Sequence, residues 1–138
     1  GNGFFVGVVT ATSFVGDVTG DVTGDVTGNL NLSNGAVSSA TATTTTTSQT
    51  AVDTFAAATY RSVKYQIQIT RGSEYHITEV FIVHDGTTSY GTEYATIKTG
   101  SSLASFDTDI DSGNVRLLAT PTSSSSTVFK LVRTLIKV

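Results

Sequence analysis

The sequence contains no cysteine, no methionine and no tryptophan, and it has one proline and two histidines. Without cysteine the chain forms no disulfide, offers no thiolate to a metal and has no cysteine nucleophile. Its eight Lys and Arg residues form no basic stripe, so we do not expect nucleic acid as a partner. No run approaches the ~20 apolar residues of a membrane span and no signal peptide opens the chain, so we expect no membrane insertion. Gly1 stands where Met would begin a protein, which predicts a processed chain or a fragment.

Charge and composition divide the chain into regions. Residues 1–50 hold three aspartates and no Lys or Arg, whereas residues 51–138 hold eight acidic and eight basic side chains. We predict an elongated shaft over residues 1–34, a Thr/Ser-rich connector over residues 35–50 and a β domain over residues 51–138. The expected fold is all-β, with the shaft followed by a small antiparallel β-sandwich or barrel, assembled as a trimer.

The most distinctive feature of the sequence is a four-residue repeat, Gly-Asp-Val-Thr, which occurs three times between Gly16 and Gly28. Because four is an even number, an extended strand places the valine of every repeat on the same face. A helix is disfavoured, since a glycine at every fourth position costs about 1 kcal/mol each and β-branched residues add to that cost. The predicted stripe consists of Val18, Val22 and Val26.

A single extended chain cannot bury this valine stripe against itself. We therefore predict that identical chains meet with Val18, Val22 and Val26 on a common axis, where the glycines let the backbones approach closely. Three close-packed strands suit so narrow a stripe, which predicts a parallel homotrimer; the pattern also permits dimers and hexamers. The alternative is a flexible polar linker that has been duplicated.

The connector contains five consecutive threonines at residues 43–47. We interpret this segment as extended chain between the shaft and the β domain. A glycan-bearing stalk is the alternative, but such stalks usually carry proline, and residues 35–50 have none.

From about residue 51 the pattern becomes that of β-strands. Apolar and polar residues alternate over residues 61–70, and further strands are predicted at 75–84 and 90–99. A tight hairpin turn is predicted at residues 112–114, within a domain of at least six strands. The predicted core consists of Val63, Tyr65, Ile67, Ile69, Phe81, Val83, Leu117, Phe129 and Leu131.

Two segments are apolar on both faces, residues 80–83 and the final strand at residues 127–138. We expect the first to be covered on both sides. The last strand is expected either in the centre of its sheet or against another subunit. Oligomer contacts would also compensate for the small core of so short a domain.

The histidines and paired acids are the residues to test for chemistry. His76 and His84 lie on one face of a predicted strand but ~26 Å apart, so they cannot share a metal, and we interpret them as partly exposed structural residues. Glu79 and Glu93 are candidates for the carboxylate pair of a glycosidase. Surface positions explain these two acids better, so we expect no catalytic residue, no cofactor and no enzyme activity.

Three alternating acids, Asp107, Asp109 and Asp111, resemble the start of a calcium-binding loop. The glycine and the bidentate acid that such a loop needs are replaced by Ser112 and Leu118. We interpret the acids as the solvated face of a strand and predict no metal site, although a looser calcium site there or along the repeat aspartates stays open.

Tyr90 and Tyr94 share a strand face beside the polar residues 87–89. Aromatic faces with nearby hydroxyls suit stacking on sugars, whereas packing across strands is the more common role of such tyrosines. We keep Tyr90 and Tyr94 as candidate glycan contacts.

The sequence also resembles a known group of proteins. The similarity lies in the repeat at residues 16–28 and in the segments 60–65, 78–94 and 113–119, and it is strongest over residues 51–138. The chain is similar to virion structural proteins of tailed phages, notably tail-fibre and other appendage proteins of phages that infect cyanobacteria. The resemblance implies a trimeric appendage with a thin repeat shaft and a β-rich globular domain on the surface of the virion; it implies no catalytic or ligand-binding residue.

Two classes of function follow from this reading. In the first, the β domain is a structural module that caps or registers the fibre or joins it to other virion proteins. In the second, it is an adhesin that contacts a glycan or protein on the host surface. Aromatic residues clustered at loop tips favour the adhesin, and aromatic residues buried at subunit contacts favour the structural module.

Overall fold

The computed structural model describes residues 27–138 and, before them, the isolated positions 7, 10, 12, 15 and 23. The predicted axis residues Val18, Val22 and Val26 lie outside the described residues, together with most of the predicted shaft. The shaft and its common axis therefore stay predictions.

Nine β-strands make up the described part of the chain. They are β1 (Leu30–Leu32), β2 (Gly35–Thr44), β3 (Thr50–Ala56), β4 (Tyr60–Arg71), β5 (Glu74–His84), β6 (Ser89–Lys98), β7 (Ala104–Asp111), β8 (Asn114–Pro121) and β9 (Thr127–Lys137). Every strand pair among them is antiparallel, which confirms the all-β, antiparallel prediction. A helix long and apolar enough to cross a membrane does not occur among the described residues.

The strands form two sheets that pack face to face. The larger has six strands in the order β1-β2-β9-β4-β5-β6, and the smaller has three in the order β3-β8-β7. Inward-facing apolar residues of both sheets, such as Ile67 and Leu131 from the larger and Phe55 and Leu117 from the smaller, belong to one core. The domain is therefore a sandwich, one of the two predicted architectures.

Most of the predicted core residues are buried, namely Val63, Tyr65, Ile67, Ile69, Leu117, Phe129 and Leu131. The prediction is wrong for Phe81 and Val83, which are 46% and 48% exposed. Because β5 is apolar on both faces, its sequence does not reveal which face turns inward, and the fold places Val80 and Ile82 in the core. The cover expected on the opposite side of β5 is not supplied by the described part of the chain.

The predicted connector over residues 35–50 is wrong for most of its length. Gly35–Thr44 forms β2 and pairs with β9 throughout. Its inward-facing residues are small, with Ala36 in the core and Ala40 and Ala42 packed against it. Since the outward residues are also small Ser and Thr, the alternation produces no contrast in hydrophobicity, and the strand is hidden in low-complexity sequence. The β domain therefore begins at or before β1.

The final strand, β9, lies in the centre of the larger sheet, between β2 and β4. This confirms one of the two alternatives predicted for an end of the chain that is apolar on both faces. β2 approaches β9 so closely at Gly35 that an added Cβ would lie 2.1 Å from the backbone oxygen of Leu135. Glycine at this position is thus needed for β2 to pair this closely with β9.

A polar cluster joins the two sheets beside the core. The Tyr65 hydroxyl donates to Asp53 Oδ2 at 2.8 Å, and Arg133 also donates to Asp53 and, at 2.9 Å, to the backbone oxygen of Thr54. Arg133 Nε donates to Ser38 Oγ at 2.8 Å. Burial, reinforced by the Asp53 carboxylate, raises the pKa of Tyr65 above its usual range. The phenol therefore stays neutral as the donor that ties β4 to β3.

Candidate functional site

The candidate site is the side of the six-stranded sheet that points away from the core, which we call the outer face. Successive side chains of a strand point to opposite faces of the sheet, and several strands carry large hydrophobic side chains on the outer face as well as toward the core. Isolated apolar residues are normal on a protein surface, whereas a contiguous set on one sheet face marks an interaction site. The exposed large hydrophobic residues on the outer face are Leu30, Leu32, Tyr75, Ile77, Phe81, Val83, Tyr90, Ile97, Val132 and Ile136.

The register of the strands brings these side chains into neighbouring positions. Near one end of the sheet, Ile136 on β9 and Val83 on β5 flank Ser62 on β4 from either side. Toward the other end, Ile77 on β5 is paired directly with Ile97 on β6. Directly paired residues lie about 5 Å apart at their Cβ atoms, so the apolar side chains of β5 and β6 adjoin one another. The outward residues of β4, which are all polar or charged, separate them from Val132 and Ile136 on β9.

The charges at the centre of the outer face are paired with each other. Lys64 Nζ lies 3.0 Å from Glu79 Oε2 and 5.7 Å from the centre of the Phe81 ring. Phe81 in turn stacks on Tyr94, with ring centroids 5.3 Å apart and planes inclined by 10°. Hydrogen bonding from Tyr94 and from Lys64 lowers the pKa of the Glu79 carboxyl, and Glu79 raises the pKa of Lys64. The centre of the face therefore carries little net charge.

Open depressions lie between the protruding side chains of the outer face. One of about 400 Å³ is bounded by Gln66, Ile77 and Val132, among others. Another of about 310 Å³ is bounded by Phe81, Val83 and Tyr90. The outer face is thus uneven enough to interlock with the side chains of a facing surface.

The two tyrosines predicted as glycan contacts lie together on the outer face of β6, as expected from their spacing. Tyr90 is 56% exposed, and Tyr94 is partly covered. The Tyr90 hydroxyl donates to Asp85 Oδ2 at 3.3 Å, while Asp85 Oδ1 accepts the backbone N–H groups of Thr88 and Thr87 at 2.8 and 2.9 Å. These hydrogen bonds hold the pKa of Asp85 well below its usual range. The contact with a glycan stays a prediction.

The outer face is not predicted as a unit from the sequence. The apolar residues of β5 that form its centre were assigned to the core, and β1 and β2 were not recognised as strands of the sheet. The signal that could have found it is the apolar character of both faces of β5 and β9, since only one face of each strand can point into the core of a two-layer sandwich.

The two histidines share the inner face of β5, as predicted, but both are buried, which corrects the expectation of partial exposure. His84 Nε2 donates to the backbone oxygen of Tyr60 at 2.8 Å. His76 Nδ1 accepts the backbone N–H of Leu103 at 3.4 Å, and its Nε2 has no hydrogen-bond partner within the described residues. Burial lowers the pKa of His76. Both histidines are therefore buried residues on the inner side of β5.

The remaining acids that were weighed for chemistry are not brought together. Glu79 points to the outer face, whereas Glu93, which is paired with inward-facing Val80, lies on the other side of the sheet. Asp109 and Asp111 both form ion pairs with Arg116. Within residues 27–138 and the isolated positions before them, no group of three or more His, Cys, Asp or Glu side chains is placed to hold a metal.

Known proteins resemble this chain only weakly. No protein-family model matches the chain, and no curated protein matches it significantly. The tailspike protein of Acinetobacter baumannii phage AM24 is similar in structure with a TM-score of 0.43 and 8% identity, covering 74% of this chain and 26% of that one. The tailspike of Acinetobacter phage vB_ApiP_P1 has a TM-score of 0.42 and 14% identity, covering 91% of this chain and 26% of that one. The chain spans about a quarter of either tailspike, and at TM-scores below 0.5 neither likeness carries a conclusion.

Proposed function

We propose that this chain is a structural component of a virion appendage, such as a trimeric tail fibre. In this proposal the repeat forms the shaft, with Val18, Val22 and Val26 on its axis. The β domain caps or registers the fibre or joins it to neighbouring virion proteins. Its partners are identical chains and other structural proteins of the particle.

The observation that carries this proposal is the exposed apolar outer face. Small domains bury a smaller fraction of their surface than large ones, so leaving the large hydrophobic residues of this face in water is unfavourable. A domain built into an assembly resolves this, because the assembly covers the face. The valine repeat supports assembly independently, and the sequence resemblance supports the virion as the location of the assembled chain.

The positions of the aromatic residues also favour the structural module over the adhesin. Tyr75, Phe81, Tyr90 and Tyr94 lie on strands and face the same side of the sheet. They are not gathered at the tips of loops. Glu79 and Glu93 do not form the carboxylate pair of a glycosidase, since they lie on opposite sides of the sheet.

Two measurements test the proposed function. Size-exclusion chromatography with light scattering is expected to give three times the 14.4 kDa mass of the chain, and a monomer at micromolar concentration would contradict the proposal. Antibodies against the β domain are expected to label a tail or another appendage of the virion. Labelling restricted to the capsid, or none on any particle, would contradict it as well.

The alternative is a receptor-binding module, and Tyr90 is the observation that favours it. This ring is 56% exposed and its hydroxyl is oriented by Asp85, which is the arrangement that a sugar-stacking residue needs. If the β domain binds host glycans, Tyr90→Ala abolishes binding to a glycan array, while Tyr75→Ala at the far end of the same face does not. Glycan binding that survives in both variants would show that Tyr90 is not the contact, and a wild-type chain that binds no glycan would remove the adhesin from consideration.

A further inference from the structure

We propose that the outer face of the six-stranded sheet is the contact surface between copies of this chain, so that the sheets of the assembly pack on one another around its axis. This inference rests on the proposed function in one respect, the assembly of identical chains. It adds the surface through which the β domains meet, which the valine repeat does not specify.

The size of the outer face fits such a contact. Its five long strands have 10 to 12 residues each, which makes the face about 24 Å wide and about 33 Å long. The resulting area of roughly 800 Å² equals what one partner contributes to a stable interface of standard size. This area is partly apolar and partly polar, because every outward residue of β4 is polar or charged.

The chemistry of the outer face fits a copy of itself better than a charged partner. Charged positions on its long strands are Lys64, Glu79 and Lys130, and the first two form an ion pair with each other at 3.0 Å. Lys130 is then the one unmatched charge that these described strands carry on the outer face, which gives a nucleic acid or an acidic surface little to recognise. The outer face loses little electrostatic energy when an identical face approaches.

The shape of the outer face also suits self-association. Ile97 protrudes with 71% of its surface exposed, and depressions of about 400 and 330 Å³ lie nearby along β4 and β5. Side chains of one copy can fill the depressions of another, which is how interface cores reach the packing density of protein interiors.

The position of β1 connects this face with the repeat. The last glycine of the repeat, Gly28, lies two residues before the start of β1, and β1 is the edge strand of the same sheet. Leu30 and Leu32 on β1 are about half exposed and are paired with Val37 and Gly35 of β2, on the outer face. The segment predicted to hold chains together therefore leads straight into the face that we assign to the contact.

Spin-label distances in the full-length chain test this assignment. The chain has no cysteine, so Val132→Cys labels the middle of the outer face and Thr54→Cys labels the opposite side of the sandwich on β3. If the outer faces meet, labels at residue 132 lie on the order of 10–20 Å apart, because facing sheets pack ~10 Å apart. Labels at residue 54 then lie beyond about 30 Å.

The possible results separate this inference from the proposed function. Short distances at residue 132 with long ones at residue 54 support the contact. An assembled chain with long distances at residue 132 overturns the contact but leaves the homo-oligomer intact, and it would point to another protein or a glycan as the occupant. A chain that stays monomeric at micromolar concentration overturns both. Circular dichroism of the labelled variants confirms that each retains the β fold.

Discussion

The two exposed sides of this sandwich obey the same alternation rule and yet have opposite chemistry. On the three-stranded sheet, the outward residues of β7 are Ser105, Asp107, Asp109 and Asp111, opposite Thr120, Leu118, Arg116 and Asn114 of β8. These are polar or charged except Leu118, which is buried. On the six-stranded sheet, the corresponding positions of β5, β6 and β9 include isoleucine, valine, phenylalanine and tyrosine, whereas those of β4 are polar or charged. One side is polar at most of its exposed positions, and the other exposes many large hydrophobic side chains.

We infer from this difference that the smaller sheet is hydrated by its own polar and charged side chains, whereas the larger sheet needs a partner to cover its apolar residues. Asp109 and Asp111 surround Arg116 and keep the smaller sheet hydrated without any partner. The larger sheet offers the pair Lys64–Glu79 at its centre and apolar residues around it. The stability of the isolated domain and the stability of the assembly should therefore respond to different faces.

The largest expected effect comes from a charge on the apolar side. Ile136→Asp removes roughly 1 kcal/mol of apolar burial per copy, since Ile136 is already half covered in its own sheet. It also places like charges in a desolvated contact, which costs several kcal/mol more. We expect the assembly to dissociate or to melt well below the wild-type temperature.

The matched control for that substitution is Thr54→Asp, on the outward side of β3 and opposite Arg116. It introduces the same side chain on the side that faces water, so it should leave both mass and melting temperature nearly unchanged. Light scattering and thermal melting of the two variants measure the difference. Equal effects of the two substitutions would erase the contrast between the faces.

A smaller effect is expected from the edge of the larger sheet. Gly35→Ala places a methyl group 2.1 Å from the backbone oxygen of Leu135, which forces β2 away from β9. We expect a loss of roughly 2–3 kcal/mol in the free energy of unfolding, measured by urea denaturation. Gly100→Ala is the control, because its added methyl meets Glu74 at an ordinary 3.4 Å. Two equally stable variants would show that β2 is not an integral strand.

Acidification should act on the core beneath the apolar face. Burial lowers the pKa of His76, so below the ordinary histidine value of 6.5 the unfolded chain binds more protons than the folded one. The free energy of unfolding should therefore fall as the pH drops below 6.5, by at most about 1.4 kcal/mol per pH unit. In His76→Gln this pH dependence should be weaker. An unchanged slope would assign it to another group.

The smallest effect is expected on the acidic side. Arg116 lowers the pKa of Asp109, so the ion pair stabilises the fold above the ordinary aspartate value of 3.8 and ceases to do so as the pH falls through the lowered pKa. Because the pair is exposed, Arg116→Ala should lower the melting temperature only slightly at neutral pH, and high salt should abolish the difference. A large, salt-independent loss would mean that this side is also covered by a partner.

The sequence predicts much of this fold because β4 and the hairpin between β7 and β8 carry clear signals. Val63, Tyr65, Ile67 and Ile69 alternate with polar residues, which determines both the strand and its inward face. β2 could not be predicted in this way, since its alanines, serines and threonines are alike in size and polarity on both sides. The assignment of Phe81 to the core failed for the opposite reason, because β5 is hydrophobic on both sides.

The candidate site, too, could be predicted from the sequence only in part. Tyr90 and Tyr94 are four residues apart, so their common face follows from the period of a strand alone. The relation between Glu79 and Glu93 depends on how β5 and β6 are registered, and a register shift between Ile77 and Glu79 interrupts that pairing. Such a relation requires the fold, and so does the recognition that exposed apolar residues of β1, β5, β6 and β9 share one sheet face.

The most direct test of the central claim is to measure the solvent exposure of both sides of the sandwich in one sample. With methyl-labelled full-length chain, NMR relaxation by a soluble gadolinium chelate reports which methyl groups touch solvent. The account predicts that Ile97, Val132 and Ile136 on the outer face are protected in the assembled protein, while Ala51 and Ala56, which are exposed on β3, are strongly relaxed. Equal relaxation of the two sets would show that the outer face is bare in the assembly and would contradict the account.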